Sequence, residues 1–328
     1  MHNSYVGLSL LLILLSPCAT FSQSVREVFS FSNANSSAGP VGSPVQGRNS
    51  KLYGETSGLG RTIVTNGAVF DLSTTGIWSL LHTFGGTDGE NPQAGLTLAA
   101  DGNYYGAATY DKNTGWGVLF RIAPNGIYTI LHQFTGGSDG GHPFASLIQA
   151  ADGNLYGTTY PGLLDDGTVY KLVPSTGVFS TIFSLNSDGS QGQQISSPPL
   201  QGVDRNFYMT ASLGGANGCG TIFKLATTGA LLQVYSFPCG VGGNLPIGAL
   251  IQASDGSLYG TTQWGGNVTS QGECQSGCGT VFKMSQGVVS VVYSFAGAPN
   301  DGAFSLAGLV QGTDGNLYGG TDKGGIMT

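Results

Sequence analysis

Charge is what this 328-residue chain has least of. Lys, Arg, Asp and Glu make up 9% of it, and the 11 Lys and Arg stand scattered. A disordered chain relies on charge to stay solvated, so the composition excludes that class. With a formal net charge of −7 and no basic patch, a phosphate backbone finds nothing to bind, which excludes nucleic acid as a partner. Long apolar runs are also lacking. Residues 6–15 (VGLSLLLILL) form a run of ten, too short to cross a bilayer, so no transmembrane segment is expected. No H-E-x-x-H or P-loop pattern occurs. The Gly-rich stretches do not lead into helices, so phosphate cradling has no support and no cofactor is implied.

Glycine is abundant, at 56 residues, without the G-X-Y period of collagen. Together with short alternating runs of Thr, Tyr, Phe and β-branched residues, it points to an all-β chain with many tight turns. One line is written six times: NSKLYGETS from Asn49, DGNYYGAAT from Asp101, DGNLYGTTY from Asp152, DRNFYMTAS from Asp204, DGSLYGTTQ from Asp255 and DGNLYGGTD from Asp314. A period near 50 residues with short strands predicts a propeller, with a solenoid of β units as the alternative. Each period offers four strands. In the third copy they are residues 145–149, 155–159, 167–172 and 179–185. Asp-Gly between the first and second supplies positive φ for a two-residue hairpin. Ser175-Thr176-Gly177 supplies the turn between the third and fourth.

The expectation is therefore one β-propeller of six four-stranded blades over residues 23–328. The fourth strand recurs six times, first as an orphan at residues 27–31, which would complete the last blade. The third strand recurs only five times, so the last blade is short or the chain is truncated near Gly324-Gly325-Ile326. Residues 1–22 read as a secretory signal peptide, with small residues before Gln23, and place the protein outside the cell or on its surface.

The phrase P-x-x-x-L-I-Q-A-x-D-G-x-L-Y-G-T-T, followed by G-T-V-F-K and an aromatic strand ending Ser-Phe, resembles the Gloeobacter/Verrucomicrobia-type tandem repeat. It is most specific at residues 152–159, 246–262 and 279–283, and weaker at 204–211, where Arg205 and Met209 replace two glycines. The resemblance implies an exported bacterial surface protein of the choice-of-anchor kind and carries no assigned chemistry. The layout is more loosely similar to the NHL propeller repeat.

Asp101, Asp152, Asp204, Asp255 and Asp314 sit in turns, and Asp88, Asp139, Asp188 and Asp301 form a second turn series. No loop gathers three carboxylates, so no metal site is expected. His82 and His132 occupy a fourth-strand position that elsewhere holds Phe29, Phe183, Tyr235 or Tyr293, which marks a packed ring. Strand alternation puts the second-to-third-strand loops on the same side as the loops joining repeats. That side carries the candidate ligand-binding residues Tyr110, Asp111, Trp116, Tyr160, Asp165 and Trp264, aromatic plates with polar edges that suit a sugar or peptide. The expected function is a non-catalytic, monomeric binding or surface-interaction module for extracellular polysaccharide or a surface protein. The alternatives are a carbohydrate-active hydrolase or lyase using loop carboxylates and a purely structural surface repeat.

Five cysteines occur, one of them, Cys18, in the expected signal peptide. Cys219 precedes a third strand and Cys239 follows the fourth strand of the same hairpin, which sets them opposite one another. Cys274 and Cys278 remain as the second pair. The rival is a four-thiolate zinc site, which an exported chain disfavours.

Overall fold

The Asp of each signature line folds its own turn. Asp152 accepts the Asn154 backbone N–H on Oδ1 (3.0 Å), and on Oδ2 the Asn154 amide (2.7 Å) and the Tyr156 hydroxyl (2.8 Å). Asp101 does the same with Asn103 and Tyr105. The loop closes through Ala150 N–H to Asn154 O and Gly153 N–H to Ala150 O, both 2.9 Å. Positive φ falls on Gly153 (+81°) and not on Asp152. The turn is thus a three-residue hairpin with one left-handed residue, not the two-residue form expected from Asp-Gly. Ser50 and Arg205 take the glycine's place in repeats one and four and hold the same left-handed φ of 64°.

The computed structural model describes residues 9–12, 26–31, 39–58, 66–161, 166–267, 274–299 and 301–324. Among these residues, five repeats each form a four-stranded antiparallel sheet. In repeat one the strands are Pro40–Gln46, Leu52–Ser57, Gly67–Leu72 and Trp78–Thr83, paired in sequence order. Repeat three has Ile148–Gln149, Leu155–Thr158, Thr168–Val173 and Val178–Ser184, and repeat five has Ile251–Gln252, Leu258–Thr262, Thr280–Ser285 and Val288–Ser294. Repeats two and four gain a further strand from the loop joining repeats, Glu90–Pro92 and Gln193–Ile195. Repeat six contributes Val310–Gln311 paired with Leu317–Tyr318, and Gly302–Ala303 paired with Lys323–Gly324.

In repeats two to six the first strand pairs over only two residues: residues 145–149 read as a strand, and only Ile148–Gln149 pair. Side chains have taken the ladder's place. The Thr210 N–H bonds the Ser197 hydroxyl (3.0 Å), and the Thr158 and Thr261 hydroxyls bond the carbonyls of Ser197 and Ala307 in the next repeat (both 3.0 Å).

The core lies between sheets. Each second strand holds a glycine opposite an aromatic of the third strand: Gly54 and Phe70, Gly106 and Phe120, Gly157 and Tyr170, Gly260 and Phe282. The ring lies so close that a Cβ on Gly54 would come within 2.7 Å of Phe70 Cζ, and one on Gly260 within 2.5 Å of Phe282 Cζ. In repeat four Met209 faces Phe223 instead. Fourth-strand aromatics then pack on the next repeat's ring, Phe84 on Phe120 (5.5 Å) and Phe237 on Phe282 (5.1 Å). Full burial of each such ring is worth about 1.5–3 kcal/mol.

The chain divides into two compact units, Met1–Phe134 and Thr135–Thr328. In the first, Arg26–Ser30 pairs antiparallel with Ser9–Leu12, inside the expected signal peptide. Phe31 packs on Phe70 (5.2 Å) and Phe29 on Trp78 (6.3 Å). Both expected disulfides form: Cys219–Cys239, with Cα atoms 5.4 Å apart, and Cys274–Cys278, with Cα atoms 4.9 Å apart.

Candidate functional site

Tyr110, Asp111 and Trp116 lie on one loop, between the second and third strands of repeat two. Tyr110 ends its strand 44% exposed. Asp111 is buried and organises the loop: its carboxylate accepts N–H groups of Asn113 (2.7 Å), Thr114 (2.8 Å) and Gly117 (2.9 Å), the Thr114 hydroxyl (2.7 Å) and the Gln133 amide (2.8 Å). Burial pushes its carboxyl up, and those hydrogen bonds outweigh it and hold the group below the usual carboxylate range. Asp111 is a negatively charged strut. Trp116 is partly buried on the same loop, its backbone N–H bonded to Thr114 Oγ1 (3.2 Å).

Tyr160 and Trp264 belong to the second unit, in corresponding loops of repeats three and five. The Tyr160 hydroxyl donates to Gln194 Oε1 (2.8 Å), and its ring lies 6.4 Å from Phe144, itself 44% exposed. Trp264 packs 4.7 Å from Phe304 in a cluster that includes Cys274 and Cys278, so its ring is largely a packing element. Asp165 lies outside the described residues. The loops thus bring Tyr110, Asp111 and Trp116 together, and Tyr160 with Phe144 and Gln194.

The loops joining repeats use a second acid staple. Asp88 accepts the Gly85 N–H (2.6 Å) and His82 Nε2–H (2.9 Å), while Tyr128 stacks on the His82 ring at 3.9 Å. Burial lowers the His82 pKa and outweighs Asp88's opposing pull, so the imidazole is a neutral packed ring. Asp301 accepts the Tyr293 hydroxyl (2.9 Å) and the Ala296 N–H (2.8 Å). Asp139 bonds the Thr135 N–H (3.0 Å) and hydroxyl. It sits in Gly136-Gly137-Ser138-Asp139-Gly140, a stretch that spells G-x-S-x-G. That stretch is a loop ahead of a strand, not the strand-to-helix elbow that activates a serine.

Sequence reasoning passed over Phe144 and counted Glu55 only among the acids left once the turn acids were set aside. Glu55 is fully buried on a second strand, at the position of Ala107, Thr158 and Thr261. Its Oε2 accepts the Gly95 N–H (2.9 Å), and its Oε1 has no partner among the described residues. Burial raises its pKa to about 8 against the lowering by Gly95, so it is protonated at neutral pH. A charged residue where its counterparts are Thr or Ala was the available signal.

Family models match residues 18–193 and 162–328 to the Gloeobacter/Verrucomicrobia repeat. The chain belongs to that family. Its two matched stretches, which overlap, together span almost the whole sequence. No curated protein matches its sequence. Among solved structures it is similar to an oligogalacturonate lyase from Vibrio parahaemolyticus, with a TM-score of 0.52 at 12% identity over 78% of this chain and 69% of that one. A prolyl endopeptidase structure aligns with a TM-score of 0.50 at 12% identity, over 90% of this chain and 40% of that one. Structural neighbours of the family member are propeller-like folds. At such identities the likeness is one of fold alone.

Proposed function

We propose that this family member is an exported, non-catalytic propeller of six repeats that binds polysaccharide through the loops on one side. The observation that carries the reading is the pairing of exposed aromatics with polar partners on those loops: Tyr110 beside the Asp111 strut, and Phe144 with Tyr160 and Gln194. A flat apolar plate with hydrogen-bonding edges matches a sugar ring, which is apolar on its faces and polar around its rim. The acids nearby favour binding over cleavage, because Asp88, Asp111, Asp139 and Asp301 each hold their own loop. Paired acids free to protonate a glycosidic oxygen and activate water are what hydrolysis would need.

We also infer that the ring closes through residues 26–31 acting as the fourth strand of repeat six. Phe31 meets Phe70 as Phe84 meets Phe120 and Phe237 meets Phe282. The Val28 carbonyl faces the turn glycine Gly76, as the Leu81 and Ile182 carbonyls face Gly126 and Gly229. The strand therefore treats repeat one as each fourth strand treats the repeat that follows it.

The binding test is a glycan array probed with the folded protein, followed by titration of the best ligand. Tyr110→Ala or Tyr160→Ala is expected to weaken binding about tenfold, with little change in melting temperature. Absence of any glycan binding, or binding indifferent to both substitutions, contradicts the reading. Release of reducing ends from the bound polysaccharide contradicts its non-catalytic part.

A further inference from the structure

We infer that the groove between the first hairpin turns of repeats one and two binds the carboxylate of a small organic acid, of the size of a sugar, with Arg48 as its anchor. The groove sits at the opposite end of strand Tyr104–Tyr110 from the Asp111 loop. It is separate from the loops proposed to bind polysaccharide, and either reading stands without the other.

Elsewhere a glutamine clasps one turn to the next. Gln201 Oε1 accepts the backbone N–H of Ala151 in the preceding repeat, Gln252 that of Val203 and Gln311 that of Ser254, each at 2.8 Å. The same amides donate Nε2–H to their own turns, at the carbonyls of Arg205, Gly256 and Gly315. An amide oxygen therefore fills the notch between successive turns. Between repeats one and two Leu98 stands where Gln201, Gln252 and Gln311 stand, and Arg48 stands where Ala151, Val203 and Ser254 stand. The Arg48 backbone N–H has no acceptor among the described residues. The donor is kept, and the oxygen that answers it in other repeats is replaced by a hydrocarbon side chain.

The Arg48 side chain adds positive charge at the same notch. Its Nη2 donates to the Ala100 carbonyl (2.6 Å), which holds the guanidinium against the repeat-two turn. Nη1 lies 3.6 Å from where a Cβ on Gly102 would be. No carboxylate pairs with Arg48 among the described residues. A guanidinium is a planar fork of donors that suits both oxygens of a carboxylate. A main-chain N–H beside it selects an anionic oxygen over a hydroxyl.

Size and lining fit a compact acid. The groove encloses about 330 Å³, and Leu98, Tyr104 and Pro124 give it apolar surface beside Arg48, Asn49 and Asn103. Small-molecule sites begin at about 300 Å³. Asp101 also lines the groove, but its carboxylate is committed to its own turn. It accepts the Asn103 N–H (3.0 Å), the Asn103 amide (2.9 Å) and the Tyr105 hydroxyl (2.8 Å).

The test is calorimetric titration of the full chain with sodium glucuronate, using glucose as a sugar of the same size without the carboxylate. Saturable glucuronate binding is expected, about tenfold or more tighter than glucose. Arg48→Gln should weaken it about tenfold. Leu98→Gln supplies the oxygen that the other repeats carry, so it should abolish binding without lowering the melting temperature. Tyr110→Ala should leave glucuronate binding unchanged, because that side chain serves the other face. A hyaluronan tetrasaccharide holds the same acid within a chain: tighter binding than glucuronate assigns the carboxylate to a polymer, weaker binding to a free acid, and both support the site. Glucuronate that fails to saturate, glucose that binds as tightly, a Leu98→Gln chain that binds like the native one, or loss of binding in Tyr110→Ala overturns the proposal. The first two results are read on the native protein and do not depend on how a variant folds.

Discussion

At the scale of single residues, the repeated line is explained by one carboxylate doing three jobs. Asp152 fixes a turn, orients Asn154 and satisfies a buried tyrosine hydroxyl. Asp152→Ala leaves the Tyr156 hydroxyl without its partner and is expected to destabilise the fold by about 1–3 kcal/mol in urea unfolding. Asp314→Ala should do less, because Tyr318 is exposed and water replaces the carboxylate. Equal losses at the two sites would contradict this account. Glu55 makes a second prediction. Its pKa is raised to about 8 in the folded chain, above the ordinary glutamate value near 4.5. The unfolded chain therefore releases the proton first, and stability falls as pH rises from about 4.5 to about 8. Glu55→Gln removes that slope, so its gain over the native protein should be larger at pH 8 than at pH 5. A variant whose stability parallels the native chain across that range would refute the assignment. The turn acids were legible in the sequence because Asp beside Gly has a local meaning. Glu55 was not, because its burial and its one partner, Gly95, come from chain 40 residues away; Asp111 was singled out as a ligand contact, and its role as the strut of its own loop became visible only in the structure.

At the scale of elements, second, third and fourth strands were readable from alternation and turn chemistry. The first strands after repeat one were read too long, because the Ser197 hydroxyl and the Thr158 and Thr261 side chains replace ladder bonds there. No two-residue periodicity records such a substitution. Cysteine spacing worked because Cys219 and Cys239 flank the two strands of one hairpin and stay nearly opposite across its ladder despite a one-residue bulge between Lys224 and Leu225. That bridge closes a separation of 20 residues, and the Cys219→Ser, Cys239→Ser double variant should be less stable by about 2–4 kcal/mol. Thermal unfolding with and without reductant checks it; a double variant as stable as the oxidised native protein would show the bridge to be dispensable. The aromatic-over-glycine pairs were visible as recurring Tyr-Gly dipeptides and as aliphatic-aromatic pairs such as Val69-Phe70, Leu119-Phe120 and Val169-Tyr170. Their meaning, ring on backbone, needed the register.

At the scale of the whole molecule, repetition told the sheet type and count more plainly than it told their closure. Phe31 on Phe70 repeats the contact of Phe84 on Phe120, and on that contact the proposed ring rests. The most direct measurement is a distance between spin labels at Ser30→Cys and Thr313→Cys in the full chain, read by pulsed electron resonance. Sheets pack about 10 Å apart, so the ends of an open stack of six would lie about 50 Å from one another. A closed ring predicts a narrow distribution below about 30 Å. A distribution centred near 50 Å or beyond would contradict it.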